Sequence, residues 1–222
     1  MELAKRLDIR PGVTAVIGGG GKTTLLRTLG EELQEKGRVL LCTTTRIFPF
    51  PDLPNALTAR ELDELAPRVR LLCAGTPFGE TGKLTAPAIP MAELAARFDY
   101  VLVEADGSAQ RPFKAHAAHE PVIPAEAENT VCVVGASGFG RTVEQAAHRP
   151  ERYASLAGIG LQDAVTPAAE AAVLRAEGLQ QRVYVNQAET PAAQSAARAL
   201  AAELNCPVLA GSLWRREYFV CS

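Results

Sequence analysis

The segment of this chain best suited to chemistry is a glycine-rich run that ends in a lysine and two threonines. Its candidate ligand-binding residues are Gly18, Gly19, Gly20, Gly21, Lys22, Thr23 and Thr24. Glycine lets a backbone turn tightly and approach a ligand closely, and a helix that starts at such a turn presents N–H groups to a phosphate. Lys22 adds a full positive charge and is a candidate catalytic residue. The Thr23 hydroxyl can bind Mg²⁺. The run therefore predicts a site for ATP or GTP with Mg²⁺.

The spacing of this run leaves more than one kind of nucleotide enzyme open. Val16 stands where the usual phosphate loop has its first glycine, so the pattern that remains from residue 18 is G-x-x-G-K-T-T. This pattern resembles the loop of amide-forming peptidoglycan ligases. It is also similar to the loop of a dimeric ATPase class, in which a lysine occupies the position of Ile17. The first similarity suggests an ATP-dependent ligase or kinase, and the second suggests an ATPase that forms a homodimer.

Two acidic residues follow an apolar run, as the acidic magnesium-site residue of phosphate-loop enzymes does. Glu104 and Asp106 come after the apolar residues 100–103, and in an extended strand both side chains lie on one face. Phosphoryl transfer requires Mg²⁺ between the β- and γ-phosphates and a group that orients the nucleophile. We assign Asp106 to the Mg²⁺ shell and Glu104 to orienting or deprotonating the nucleophile, and these roles can be exchanged. Thr43, which ends the predicted strand 38–43, is a further candidate ligand for Mg²⁺.

Two more pairs of polar residues are candidates for contacts with the nucleotide or with a substrate. Arg111 and Lys114 follow the acidic pair and are candidate catalytic cations for a γ-phosphate or a substrate anion, the alternative being solvated loop charges. Asn186 and Glu189 follow a later predicted strand and resemble the base-contacting Asn-Lys-x-Asp motif of GTPases. Because glutamine and glutamate replace the lysine and aspartate of that motif, the choice between ATP and GTP stays open.

The elements that must position these residues alternate between strands and helices. Strands are predicted at 13–17, 38–43, 70–73, 100–104, 130–134, 182–185 and 207–210. Helices are predicted at 22–36, 58–65, 91–98, 143–158, 166–176 and 190–204. This alternation predicts an α/β fold with a doubly wound, mostly parallel sheet and helices on both faces, similar to the three-layer sandwich of phosphate-loop NTPases. We expect a single domain over 1–222, with irregular loops at about 46–57, 74–90 and 107–129.

Composition places the chain among ordinary globular proteins. Of its 222 residues, 47% are hydrophobic and 22% charged, and the net charge of −2 argues against a nucleic-acid partner. No apolar run approaches the roughly 18 residues of a membrane span, and the charged first ten residues do not resemble a signal peptide, so we expect a cytoplasmic protein without a membrane partner. The five cysteines form no C-x-x-C pair. Three lie in apolar runs and are expected to be small buried residues in a reducing compartment, and Cys221 is the only one expected to be exposed.

Six segments carry a resemblance over most of the chain. They are 16–24 (V-I-G-G-G-G-K-T-T), 43–45 (T-T-T), 103–108 (V-E-A-D-G-S), 111–115 (R-P-F-K-A), 119–124 (H-E-P-V-I-P) and 185–188 (V-N-Q-A). Together they resemble the YqeC family, accessory proteins of selenium-dependent molybdenum hydroxylases. The resemblance implies a nucleotide site and a role in maturing a molybdenum hydroxylase or its cofactor, which would then be a partner. It does not imply a particular reaction.

Three hypotheses follow for the activity. The first is a nucleotide hydrolase or transferase of cofactor maturation, whose turnover changes the conformation of the loop at 107–128. The second is an ATP-dependent ligase or kinase that acts on a small acidic substrate, although no separate substrate domain is evident. The third is a non-catalytic nucleotide-binding scaffold or chaperone, which the missing first glycine of the loop allows.

Overall fold

A computed structural model describes residues 2–221 of the chain. Its helices are α1 (Leu3–Arg6), α2 (Lys22–Leu33), α3 (Ala59–Leu65), α4 (Met91–Arg97), α5 (Val143–Ala146), α6 (Pro150–Ala157), α7 (Pro167–Glu177) and α8 (Pro191–Ala202). Its strands are β1 (Gly12–Gly18), β2 (Val39–Thr43), β3 (Asn55–Ala56), β4 (Leu71–Ala74), β5 (Thr76–Phe78), β6 (Lys83–Thr85), β7 (Tyr100–Glu104), β8 (Phe113–Lys114), β9 (Ala127–Gly135), β10 (Ala147–His148), β11 (Arg182–Asn186), β12 (Val208–Ser212) and β13 (Glu217–Val220). Within residues 2–221, no helix combines the length and the apolar character that crossing a bilayer requires.

The described residues form two compact units. The first unit comprises residues 2–16, 23–107 and 121–129, and the second comprises 17–22, 108–120 and 130–221. The glycine-rich run contributes residues 18–22 to the second unit, and the chain enters the first unit at Thr23. The two units are described separately below.

The first unit contains parallel strands in the order β1-β7-β2-β4-β3. Glu104 of β7 is aligned with Val16 of β1 and with Thr43 of β2, so the carboxyl ends of these three strands lie side by side. Most residues of these strands are apolar and buried, as in other buried parallel strands, with Thr14, Thr43 and Glu104 as buried polar exceptions. Their side chains pack with those of α3 and α4, including Leu62 and Leu94, into one hydrophobic core.

The second unit contains strands in the order β13-β12-β11-β9. The strands β9, β11 and β12 are parallel, and β13 is an antiparallel edge strand that follows β12 through a turn. Asn186 at the end of β11 is aligned with Gly135 at the end of β9. Both units therefore have mostly parallel strands joined through helices, which confirms the predicted α/β class.

Three helices begin as their sequences predict. The hydroxyls of Thr58, Thr166 and Thr190 each accept a hydrogen bond from the backbone N–H three residues later, at 3.1, 3.2 and 3.2 Å. A side-chain oxygen at this position satisfies one of the N–H groups that have no partner within the helix. Proline follows Thr166 and Thr190 at the first helical position, where its missing N–H costs no hydrogen bond.

Several boundaries differ from the sequence-based prediction. The helix α2 ends at Leu33 rather than at residue 36. The predicted helix 143–158 is divided into α5 and α6, because the chain is extended at β10 and Arg149 adopts a positive φ of 61°. Pro150, at which the sequence predicts a break or a kink, is the first residue of α6. The three expected loops contain short strands, namely β3, the hairpin of β5 and β6, and β8, and the edge strand β13 was not predicted.

Candidate functional site

The glycine-rich loop has a backbone that side chains larger than glycine do not fit. Gly18 and Gly20 have φ values of +93° and +77°, in the left-handed region that glycine enters at no steric cost. A Cβ on Gly20 would lie 2.4 Å from the Cα of Gly135, and a Cβ on Gly18 would lie 2.3 Å from the carbonyl oxygen of Val133. The glycines therefore permit both the turn and the close approach of the end of β9.

Neighbouring backbone and side-chain groups fix the shape of this loop. The N–H of Gly19 donates to the carbonyl of Val133 at 2.8 Å, and the N–H of Gly20 donates to the carbonyl of Arg111 at 3.2 Å. The carbonyl of Gly20 in turn accepts a hydrogen bond from Asn186 Nδ2 at 2.9 Å. The loop is thus held by hydrogen bonds to Val133, Arg111 and Asn186 within the second unit.

Lys22 lies inside the turn of this loop. Its side chain is almost fully buried, with the residue 4% exposed. The Nζ atom donates to the carbonyl of Gly18 at 2.7 Å and to Ser108 Oγ at 3.2 Å. The sequence predicted Lys22 as a site residue but not Ser108. The position of Ser108 at the end of the E-A-D-G-S segment is the signal that could have identified it. The Gly18 carbonyl and the Ser108 hydroxyl thus hold the ammonium group inside the loop.

Thr23 and Glu104 form a hydroxyl–carboxylate pair in the first unit. Thr23 Oγ1 donates to Glu104 Oε2 at 2.7 Å, and Glu104 is only 7% exposed. Oxygen atoms of this kind are the ligands that Mg²⁺ prefers. Asp106, which we assigned to the Mg²⁺ shell, is fully buried beyond the end of β7, and Thr24 is exposed. The geometry therefore favours the exchanged assignment, in which Glu104 is the acidic residue beside the Thr23 hydroxyl.

The hydroxyl of Thr43 is hydrogen-bonded to backbone groups. Its Oγ1 donates to the main-chain carbonyl of Glu104 at 2.7 Å and accepts from the N–H of Thr45 at 2.9 Å. Thr43 is fully buried. These contacts hold the ends of β2 and β7 together and position Glu104, and a role of Thr43 as a metal ligand stays a prediction.

Arg111 and Lys114 have protein partners in the second unit. The guanidinium of Arg111 donates to the main-chain carbonyls of Glu144 and Gln145 at the end of α5. The side chain of Lys114 is fully buried, and its Nζ lies 2.8 Å from Glu120 Oε2. These contacts favour structural roles over the predicted direct contact with an anion.

Glu120 is the acidic partner shared by two cations. Arg149 Nη1 lies 3.1 Å from the same Oε2 atom that contacts Lys114. Partial burial raises the pKa of Glu120, but the hydrogen bonds and charges of Lys114 and Arg149 outweigh this effect, so the net shift of the pKa is downward. The carboxylate therefore stays ionised, and the cluster fixes the segment 114–120 to β10 and the start of α6.

Asn186 contacts the glycine loop with both ends of its amide group engaged. In addition to the hydrogen bond from Nδ2 to Gly20, its Oδ1 accepts from the N–H of Leu213 at 3.2 Å. Asn186 is 7% exposed, whereas Glu189 is half-buried at the start of the following loop. The amide thus positions the loop, and a direct contact of Asn186 or Glu189 with a base stays a prediction.

His116 belongs to a buried polar group and not to a metal centre. Its Nδ1 lies 2.7 Å from Glu177 Oε2, and its backbone N–H donates to Glu177 Oε1 at 2.6 Å. Among residues 2–221, no set of three or more histidine, cysteine, aspartate or glutamate side chains is arranged to hold a metal ion.

Comparison with known proteins assigns the chain to a family. The model of the YqeC protein family matches residues 14–151, a range that includes the glycine loop, the Thr23–Glu104 pair and Ser108. An Escherichia coli (strain K12) protein, described as the uncharacterized protein YqeC, is 35% identical over 160 residues. This alignment covers 68% of the chain and 62% of the relative, so the chain spans less than two thirds of the relative's length. Because the family model spans more than half of the sequence, the chain belongs to the YqeC family.

Proposed function

We propose that this protein binds a nucleoside triphosphate with Mg²⁺ at the segment 18–24 and hydrolyses it. The observation that carries the proposal is the position of Lys22, whose buried Nζ lies 2.7 Å from the Gly18 carbonyl at the entrance to α2. Phosphate oxygens are strong hydrogen-bond acceptors for an ammonium group. The first turn of a helix such as α2 adds N–H groups that have no partner within the helix.

The residues of the loop would take separate parts in binding the phosphates. Lys22 would exchange its contact with Ser108, at 3.2 Å, for an oxygen of the β- or γ-phosphate. The carbonyl of Gly18 would remain as a second partner of the ammonium and keep its direction. Because the loop is already held by Val133, Arg111 and Asn186, little of its backbone has to be reordered on binding.

Thr23 and Glu104 would hold the metal. The hydroxyl and the carboxylate, 2.7 Å apart, form an oxygen donor set that fits Mg²⁺ directly or through water. When bound, Mg²⁺ would neutralise negative charge on the β- and γ-phosphates. Thr43 keeps Glu104 in place through its bond to the Glu104 carbonyl. Asp106 is then the carboxylate left to orient the attacking water, the reverse of our first assignment.

The wider role that we propose is maturation of a selenium-dependent molybdenum hydroxylase or its cofactor, and its support is the family resemblance. Ser108 and the carbonyl of Arg111 both contact the glycine loop, at 3.2 Å from Lys22 and from Gly20 respectively. A change in phosphate occupancy would therefore alter the contacts of the segment 108–111. This connection favours a protein that acts on a partner protein in response to nucleotide over a kinase or ligase of a small substrate. Arg111 and Lys114, the candidate cations for a substrate anion, already contact protein groups.

The proposal is tested by measuring Mg²⁺-dependent hydrolysis of ATP and GTP with carboxylate variants. Glu104→Gln keeps the size of the side chain but removes its charge. It should raise the Mg²⁺ concentration that half-maximal turnover requires by about tenfold or more. Asp106→Asn should lower kcat with little change in the Mg²⁺ requirement. Glu93→Gln is the matched control, since Glu93 is an exposed residue of α4 that pairs with Arg97. Turnover that is unchanged in both site variants would contradict the proposal.

A further inference from the structure

We infer that the turn after β12, residues 213–216, binds the base of the nucleotide and that Trp214 stacks on it. The inference rests on the proposed triphosphate site and adds to it the part of the ligand that the glycine loop does not contact. It also lies outside residues 14–151, the range that the family model covers.

Trp214 is exposed to an extent that is unusual for its residue type. It is 92% exposed and is the only tryptophan in the chain. Tryptophan is mostly buried in folded proteins, because its ring is large and apolar. An aromatic ring in solvent beside a ligand loop is a suitable stacking surface for a base, since every base has a π-face.

Direct contacts place the turn beside the glycine loop. The N–H of Leu213 donates to Asn186 Oδ1 at 3.2 Å, and the Nδ2 of the same amide donates to the Gly20 carbonyl at 2.9 Å. A Cβ built on Gly21 would lie 3.8 Å from Leu213 Cδ1. Trp214 is the next residue along the chain, so its Cα lies about 3.8 Å beyond that of Leu213. The ring is therefore attached next to the loop that would bind the phosphates.

Hydrogen bonds and strand pairing hold the backbone of this turn, although one of its residues adopts an unfavourable conformation. Ser212 of β12 is aligned with Glu217 of β13, and Ser212 Oγ accepts from the N–H of Arg215 at 3.1 Å. Arg216 has a φ of +57°, in the left-handed region that favours glycine. Arginine therefore stands where glycine would be less strained, and such outliers are frequent at ligand sites.

The engagement of Asn186 determines what kind of base recognition is available. Each end of its amide group is bonded to a backbone group, at 2.9 and 3.2 Å, and these bonds hold the amide against the glycine loop and Leu213. Stacking on an indole ring tolerates any base. The structure therefore assigns to this site nucleoside triphosphates as a class, with similar affinity for ATP and GTP.

The test compares ligands with and without a base. Binding of Mg²⁺-ATP, Mg²⁺-GTP and Mg²⁺-tripolyphosphate is measured by calorimetry, with the fluorescence of Trp214 as a second readout. Trp214→Ala should weaken binding of both nucleotides by about tenfold and leave tripolyphosphate binding unchanged, while Trp214→Phe should restore most of the loss. Phe48→Ala is the matched control, because Phe48 is a 59% exposed aromatic residue of the first unit.

The outcomes separate this inference from the proposed function. If tripolyphosphate binds and Trp214→Ala binds ATP as tightly as the unchanged protein, the stacking inference is wrong and the phosphate site stands. A preference of more than about tenfold for one nucleotide would also overturn the inference, since stacking alone does not distinguish bases. If the unchanged protein binds none of the three ligands, the proposed function and the inference both fail.

Discussion

Replacing Asn186 with alanine should destabilise the second unit and loosen the glycine loop. The change removes two hydrogen bonds, from Nδ2 to Gly20 at 2.9 Å and from the Leu213 N–H to Oδ1 at 3.2 Å. Leu213 is 4% exposed, so its N–H would remain without a partner in a buried position, whereas the half-buried Gly20 carbonyl can reach water. With about 1–3 kcal/mol for the buried N–H and about 1 kcal/mol for the other bond, the expected loss is about 2–4 kcal/mol.

The loss can be measured as the change in unfolding free energy from urea titrations followed by circular dichroism. Asn186→Asp is an informative companion, because it keeps the acceptor for Leu213 and removes only the donor to Gly20. Gln187→Ala is the control from the neighbouring position, where the exposed side chain accepts a hydrogen bond from Ser137, and should change stability by less than about 1 kcal/mol. A loss below about 0.5 kcal/mol for Asn186→Ala would refute the reasoning, since the amide would then not determine the loop conformation.

Three further outcomes are expected. Gly20→Ala should abolish triphosphate binding in calorimetry, because its Cβ would lie 2.4 Å from backbone, whereas Gly79→Ala, with nothing within 4 Å, should leave binding intact. Burial raises the pKa of Glu170 from 4.5 to about 8, so the folded protein holds a proton that the unfolded chain releases. The resulting stabilisation is complete below pH 4.5 and is lost as the pH rises through about 8, so Glu170→Gln should flatten the fall in unfolding free energy over that range in urea titrations. In native thiol labelling followed by mass spectrometry, Cys206 and Cys221 should react and the three buried cysteines should not, and rapid modification of a buried one would contradict the packing described.

The strands and helices that local patterns determine could be predicted from the sequence. Apolar runs predicted the central strands β1, β2, β7 and β11, and Thr-Pro pairs predicted the starts of α7 and α8. Pro150 indicated the break between α5 and α6, but the strand β10 within that break could not be predicted, because it pairs with β8, a contact between distant segments. The edge strand β13 was missed because it has only four residues, none of which is buried, so its sequence has no alternation of buried and exposed positions.

The candidate site was predictable in its residue types but not in its pairings. Lys22 and Thr23 follow from their place after the glycines, and the structure brings each to a polar partner. Which carboxylate accompanies Thr23 depends on where β7 ends, and that position favours Glu104 over Asp106. The contacts of Asn186 with Gly20 and Leu213 are long-range, so local sequence gave no means to distinguish loop positioning from base contact.

The central claim is that Lys22 binds the phosphates of a nucleotide, and calorimetric titration with Mg²⁺-ATP and Mg²⁺-GTP tests it most directly. Lys22→Ala should weaken binding of both nucleotides by about ten- to hundredfold, the range expected for the loss of a charged hydrogen bond. Lys36→Ala, at an exposed lysine that pairs with Glu2, should bind as the unchanged protein does. Equal affinity of the unchanged protein and Lys22→Ala would contradict the account.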